Sequence, residues 1–132
     1  MDTAIILRNA KTVAVVGLSD KPERPSYGVA SYLLSKGYRI IPVNPNLSEW
    51  KGIKAYRSLL EIPGDIRVDI VDIFRKSEDV PPIVDEAIAI HAKTVWMQLG
   101  IVNEIAAEKA RGAGLDVVMD KCMKIEHMNM KD

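Results

Sequence analysis

"VAVVGLSDKPERPSYGVASYLLSKGYRIIPVNP", residues 13–45, decides the fold class. The run "TVAVVG" (12–17) is apolar and rich in β-branched residues, which marks a buried strand. "YGVASYLLSKG" (27–37) puts Val29, Leu33 and Leu34 on one helical face with Tyr32 alongside, and it stops at Gly37. "YRIIPV" (38–43) is a second apolar strand, closed by Val43-Asn44-Pro45. Strand, helix and strand in this short span form a βαβ unit, and two strands joined that way run parallel.

The rest of the chain continues the alternation. "VDIVDIF" (68–74), "TVWMQL" (94–99) and "DVVM" (116–119) read as strands. "PPIVDEAIAIHA" (81–92) is helical, with Ile83, Ala87 and Ile90 four and three apart. "VNEIAAEKARGAG" (102–114) places Val102, Ile105, Ala106, Ala110 and Ala113 on one face. "YRSLLEI" (56–62) is a short helical turn. The first ten residues suit a lead-in helix, and the closing "EHMNMKD" reads as a tail that docks loosely or frays. Near-continuous Val/Ile strands imply a sheet covered on both faces. The expected architecture is α/β: a three-layer, doubly wound (Rossmann-like) parallel sheet of about five strands. Ligands of such sheets bind outside the carboxyl ends of the strands. The candidate site is therefore the set of residues just after positions 17, 43, 74, 98 and 119.

The 132 residues fit one domain over 1–132, with 48% hydrophobic and 27% charged residues. Eighteen basic and eighteen acidic residues cancel, which gives no reason to expect nucleic acid or an anionic membrane as partner. The one cysteine, Cys122, rules out an internal disulfide and suits a reducing compartment. No signal-peptide pattern and no membrane-spanning run is present, so the expected location is cytoplasmic.

The loop "LSDKPERPS" between Gly17 and Gly28 bears on the ligand. Ser26 is placed to cap the next helix, and a helix start attracts phosphate. Gly28 permits close approach of backbone or ligand, and Lys21 and Arg24 add positive charge. The same loop also occurs in α/β proteins that hold no nucleotide. A nicotinamide dinucleotide site wants a carboxylate after the second strand for its ribose. Val43, Asn44, Pro45 and Asn46 stand there instead. They form either a neutral shelf with amide groups for an adenine edge or a simple turn.

Four separated blocks, G-x-S with S-Y-G, P-V-N-P, D-x-F-R, and W-x-Q-x-G with D-x-C, make the chain resemble the small stand-alone CoA-binding domain proteins. These are similar to the N-terminal CoA-binding domain of the succinyl-CoA synthetase alpha subunit. The resemblance spans nearly the whole chain and implies coenzyme A as cofactor. It implies a diphosphate near Gly17, Ser19, Ser26, Tyr27 and Gly28, and adenosine near Val43, Asn44 and Pro45. Phe74 and Arg75 would form the other wall, and Gln98 and Gly100 would flank the pantetheine arm. Arg24 joins this set through its charge. The synthetase subunit carries its phosphorylated histidine on a second domain. His91 and His127 match no such motif, so the resemblance carries over a binding site and no catalytic residue.

Other residues bear chemically reactive or charged groups. Cys122 is either an inert buried thiol or one that meets a ligand thiol. Cys122, Glu126 and His127 fit no closed zinc set. His91 reads as a helix-end histidine. Asp69 and Asp72 have opposite strand parity, so they form no acid–base pair, and each reads as a satisfied cap. Arg75 and Lys76 suit a phosphate, with Lys51 and Lys54 as competitors. Tyr27 and Tyr56 are candidates to stack on adenine, whereas Trp96 belongs to the core. The expected function is a protein that holds coenzyme A or an acyl-CoA across the strand ends without catalysis. The alternatives are an enzyme acting on acyl-CoA or on an NAD-type nucleotide, and a regulatory subunit with a protein partner that the sequence does not name.

Overall fold

A computed structural model describes residues 2–130. Helix α1 (Thr3–Asn9) leads in, its first turn capped by the Asp2 carboxylate, which accepts from the Ala4 amide. Strand β1 (Thr12–Val16) is buried at every residue. It is followed by α2 (Pro25–Ser35) and β2 (Arg39–Val43). A hairpin of β3 (Glu49–Trp50) and β4 (Ile53–Lys54) comes next, then a 3₁₀ turn at Leu59–Glu61 and strand β5 (Ile70–Ile73). A second 3₁₀ turn (Ser77–Asp79) runs into α3 (Val80–Ala89). The chain then forms β6 (Thr94–Met97), α4 (Glu104–Gly112), β7 (Asp116–Val118) and α5 (Met123–Met128).

The main sheet has five parallel strands in the order β2-β1-β5-β6-β7. The expected doubly wound architecture is thus present. Chain order runs one way from β1 to β2 and the other way from β1 to β5, so the switch point lies between the ends of β1 and β5. Strand residues alternate between two apolar layers. Ala14, Val16, Val71, Ile73, Val95 and Met97 pack under α3 and α4, with Val84, Ala87 and Ala106 from the helices. Val13, Val15, Ile70, Trp96 and Val118 pack under α1, α2 and α5, with Leu7, Leu33 and Met123. Each fully buried aliphatic side chain contributes roughly 1.5–3 kcal/mol relative to exposure.

Two expectations differ from the structure, and one element is new. In α4 the buried face is Ala106, Ala107 and Ala110, while Ile105 is 80% exposed and Val102 42% exposed. Small alanines let α4 sit close to the sheet, and that turns the bulkier Ile105 outward. The C-terminal segment does not fray over its described part. It forms α5, docked by a bond from the Thr3 hydroxyl to Glu126 and by the Tyr32 hydroxyl against His127 Nδ1, 3.0 and 2.7 Å. Lys131 and Asp132 lie outside the described residues. The β3–β4 hairpin was not foreseen. Its turn places Lys51 and Gly52 at positive φ, 51° and 77°.

Candidate functional site

At the switch point β1 and β5 approach so closely that only glycine fits after β1. A β-carbon on Gly17 would collide with the Phe74 carbonyl oxygen, and Gly17 also sits at φ +87°. Its N–H donates to the Val43 carbonyl at 2.8 Å, while the Phe74 N–H donates to the Val16 carbonyl at 2.9 Å. The ends of the three strands are thereby locked at one level.

Above this level lies a cavity of about 710 Å³. All five strand-end loops expected from the sequence contribute to it. The loop after β1 supplies Gly17, Ser19, Lys21 and Arg24, with Pro25, Ser26 and Val29 from α2. Asn44 follows β2; Phe74, Arg75 and Lys76 follow β5; Gln98, Leu99 and Ile101 follow β6; Cys122 and Ile125 follow β7. The lining is polarised. Lys21, Arg24, Arg75 and Lys76 come from the loops after the neighbouring strands β1 and β5, whereas the apolar Leu99, Ile101 and Ile125, with Gln98 and Cys122, come from those after β6 and β7. Among the described lining residues none is a carboxylate or an imidazole.

The loop after β1 is shaped by its serines. Ser26 does not cap α2: Arg24 is the N-cap residue and Pro25 the first helical residue, where its missing N–H costs nothing. The buried Ser26 hydroxyl instead accepts from the Ser19 amide at 3.0 Å, and the Ser19 hydroxyl accepts from the Lys21 amide at 3.1 Å. Each hydroxyl spends an acceptor lone pair and keeps its own O–H for a ligand. Asn44 is engaged with the protein: its amide nitrogen donates to the Leu18 carbonyl and its oxygen accepts from the Asn46 amide, both 2.9 Å. It ties two loops together more than it offers an edge to adenine.

Eight of the thirteen expected site residues line this cavity, namely Gly17, Ser19, Arg24, Ser26, Asn44, Phe74, Arg75 and Gln98. The other five are not among its lining residues. Tyr27 packs edge-on against Trp50, ring centroids 5.6 Å apart, with the Lys51 ammonium over its ring. Gly28 is exposed, with open space where a β-carbon would point. Val43 is core and Pro45 is exposed. Gly100 donates its N–H to Asp120 at 2.7 Å. Lys54 lies over Tyr56, and neither of the competing lysines reaches the lining. Pro25, Val29, Leu99, Ile101 and Ile125 were missed. Leu99 carried a usable signal, an apolar residue in a strand-end loop.

Asp69 is a satisfied cap, accepting from the Lys11 and Thr12 amides at 2.8 and 2.9 Å and facing Lys93. The same reading of Asp72 is overturned. Asp72 is fully buried, and neither carboxylate oxygen has a hydrogen-bond partner. It sits in register between Val15 and Trp96. Burial pushes its pKa well above the ordinary carboxylate range. Phe74 and Gln98, the next residues on the same face, line the cavity. Trp96 is core, as expected, and its ring N–H donates to the Lys121 carbonyl at 2.8 Å. Cys122, Glu126 and His127 do not converge: Cys122 lines the cavity, while the other two hold α5 to α1 and α2.

Residues 11–128 match the family described as the CoA binding domain. The chain is 46% identical over 122 residues to the uncharacterized protein YneT of Bacillus subtilis, covering 92% of this chain and 89% of that one. It is 36% identical over 69 residues to the alpha subunit of ADP-forming acetate–CoA ligase II of Pyrococcus furiosus, which covers 52% of this chain and 15% of that subunit. Among solved structures, a hypothetical protein from Pyrococcus horikoshii OT3 superposes with a TM-score of 0.92 at 42% identity, over 96% of this chain and 88% of that one. No helix among the described residues is long and apolar enough to cross a membrane.

Proposed function

The chain belongs to the CoA binding domain family, and from that premise we propose that it holds coenzyme A or an acyl-CoA across the strand ends without a chemical step of its own. The observation that carries this reading is the polarity of the cavity. Four cations line it from the loops after the neighbouring strands β1 and β5, in a chain whose net charge is zero. Such a cluster suits the diphosphate and 3′-phosphate of the cofactor, because charge-assisted bonds to phosphate are strong. The Ser19 and Ser26 hydroxyls add donors beside them. The apolar lining at Leu99, Ile101 and Ile125 suits the uncharged arm that ends in the thiol. A hydrolase or transferase acting there would need a base or an activated nucleophile, and no carboxylate or imidazole lines the wall. An NAD-type ligand lacks its ribose-binding acid after β2, where Asn44 stands.

Titration calorimetry under reducing conditions tests the reading, with coenzyme A, dephospho-CoA, NAD and ATP as probes. Coenzyme A is expected to bind most tightly, and dephospho-CoA more weakly for want of one phosphate. Tighter binding of NAD, or no heat with coenzyme A, overturns it.

A further inference from the structure

We propose that the preferred ligand of the strand-end cavity is an acyl-CoA, and that Leu99 and Ile125 open the cavity onto an apolar strip that takes the acyl chain. The inference rests on the binding reading above and names the substrate class of the same site. Three observations carry it.

The first is where exposed apolar side chains fall. Among the described residues seven large apolar side chains are exposed, and five of them are Leu99, Val102, Ile105, Ile125 and Met128. These five come from two short segments, the loop after β6 with the first turn of α4, and helix α5. Single exposed apolar residues are ordinary, whereas a cluster of them marks a binding surface.

The second is that the two segments are joined. The Gly100 N–H donates to the Asp120 carboxylate at 2.7 Å, and the Asp120 N–H donates to the Ile101 carbonyl at 3.2 Å. The Met123 N–H donates to the Gln98 side-chain oxygen at 3.0 Å. These bonds lace the loop after β6 to the segment that opens α5.

The third is continuity with the cavity. Leu99 is 65% exposed and Ile125 49% exposed, yet both line it. The cavity therefore meets solvent past apolar side chains at its β6–β7 end. Met128 lies three residues beyond Ile125 on the same helix, hence on the same face. With the phosphates held from the loops after β1 and β5, the uncharged end of the cofactor extends toward β6 and β7. An acyl group on its thiol then reaches Leu99 and Ile125.

A protein partner is the poorer occupant of this strip. A stable protein interface takes about 20–30 residues from each side, and the strip offers five apolar ones on two short segments. A hydrocarbon chain needs only a narrow apolar track and asks for no hydrogen bond. A fully buried methylene strengthens binding about fourfold, and one laid on an open strip about twofold. Octanoyl-CoA is therefore expected to bind roughly 60-fold more tightly than acetyl-CoA.

Titration calorimetry of the full chain with coenzyme A, acetyl-CoA, butyryl-CoA, octanoyl-CoA and free octanoate tests this. Affinity is expected to climb with chain length, and the heat-capacity change to grow more negative. Leu99→Ser combined with Ile125→Ser, checked for native circular dichroism, is expected to cut the octanoyl-to-acetyl ratio at least about tenfold. Leu99→Ser alone, at a residue mostly in solvent, serves if the double variant does not fold, with a fall of about threefold or more expected. Ile5 is an exposed apolar residue beside the starts of β5, β6 and β7, at the opposite end of the sheet. Ile5→Ser is expected to leave the ratio unchanged. If coenzyme A binds but the ratio is below about threefold, the acyl strip falls and the binding reading stands. Equal loss of the ratio in Ile5→Ser, or no loss in the Leu99 variants, also overturns the strip. So does a dimer in sedimentation that Leu99→Ser dissolves, because a second copy then covers it. If octanoate binds as tightly as octanoyl-CoA and coenzyme A gives no heat, both readings fall together.

Discussion

Under α3 and α4 the sheet presents Ala14, Val16, Val71, Ile73, Val95 and Met97, and the helices answer with valines and alanines. Under α1, α2 and α5 the middle register row reads Val15, Asp72 and Trp96. The buried side-chain atoms without a partner, among the described residues, are Asp72 Oδ1 and Oδ2, Trp50 Nε1 and Ser31 Oγ. Asp72 and Trp50 lie in this second layer, and Ser31 lies on α2, which covers it. The same layer holds the Gln98–Met123 and Tyr32–His127 bonds. The cavity floor at Phe74 and Gln98 continues this face of the sheet. One layer of the sheet is faced by apolar side chains throughout. The other accepts polar groups that a stable core would exclude, and such exceptions cluster where a protein binds or reacts.

Residues 72 and 73 are neighbours on opposite faces, so a pair of substitutions separates the two layers. Ile73→Ala leaves a void in the apolar layer and is expected to cost about 2–5 kcal/mol in denaturant unfolding. A cost under about 1 kcal/mol means that this layer relaxes and is less tightly packed than the contrast requires.

The rim where the layers meet is the next test. Gly17→Ala meets the Phe74 carbonyl oxygen at a positive φ, and a loss of about 2 kcal/mol or more is expected, with coenzyme A affinity lost as the strand ends part. Gly28→Ala enters open space inside a helix, where a gain of about 0.5–1 kcal/mol is expected. If the two changes behave alike, the close approach of β1 and β5 is not what Gly17 serves. Arg75→Ala removes a cation from the lining and is expected to weaken coenzyme A about 10–100-fold with little change in stability. A change below about threefold in calorimetry places the phosphates elsewhere.

Asp72→Asn is expected to act in the opposite direction to Ile73→Ala. An acid whose pKa rises on folding keeps its proton in the folded chain after the unfolded chain has lost it. Its contribution is most favourable below the ordinary value of about 3.9 and declines as pH climbs toward the raised folded value. The Asn variant should therefore gain on the native chain by up to about 1.4 kcal/mol per pH unit across that window. A constant gap from acid to neutral pH means that Asp72 titrates normally and has a partner in solution.

How far the sequence revealed these layers follows from the range of the interactions involved. Strands β1, β2, β5, β6 and β7 were legible because doubly buried strands are near-continuous Val/Ile runs, a signal that each segment carries alone. From their order came the switch point and all five strand-end loops. The β3–β4 hairpin was not legible, since two residues per strand carry no period and its order rests on Trp50 entering the core. Helix α5 was missed for a related reason. Its six residues are too few to be stable alone, and Thr3 and Tyr32, distant in sequence, hold it. In α4 two apolar stripes lay side by side, and only the sheet decided that alanines face inward. Asp72 looked like an ordinary strand-end acid because lack of a partner is a property of neighbours, not of the residue. For the lining, charge marked Arg24 and Arg75, whereas Leu99, Ile101 and Ile125 resembled core residues and became visible as an apolar lining only once the loops were assembled.

The smallest effect is expected at His127, and it links the polar layer to the site. Its ring stands edge-on to Tyr32 and Tyr38, with Nδ1 2.7 Å from the Tyr32 hydroxyl. Burial, and then the nearby Lys36 ammonium, lower its pKa below the ordinary 6.5. The unfolded chain therefore takes up this proton first on acidification. The stability His127 contributes is complete above about pH 6.5 and declines as pH falls below it toward the folded value. Because the ring is only partly buried, the loss is small and local. It falls on α5, whose Cys122 and Ile125 form the cavity wall. The protection of the amides of residues 123–128, after correction for the intrinsic pH dependence of exchange, should fall between about pH 7 and pH 5.5 in the native chain and lose that dependence in His127→Gln. If the corrected protection there is flat in both chains, Gln98 and Glu126 hold α5 unaided, and the polar layer is stiffer at its C-terminal edge than its chemistry suggests.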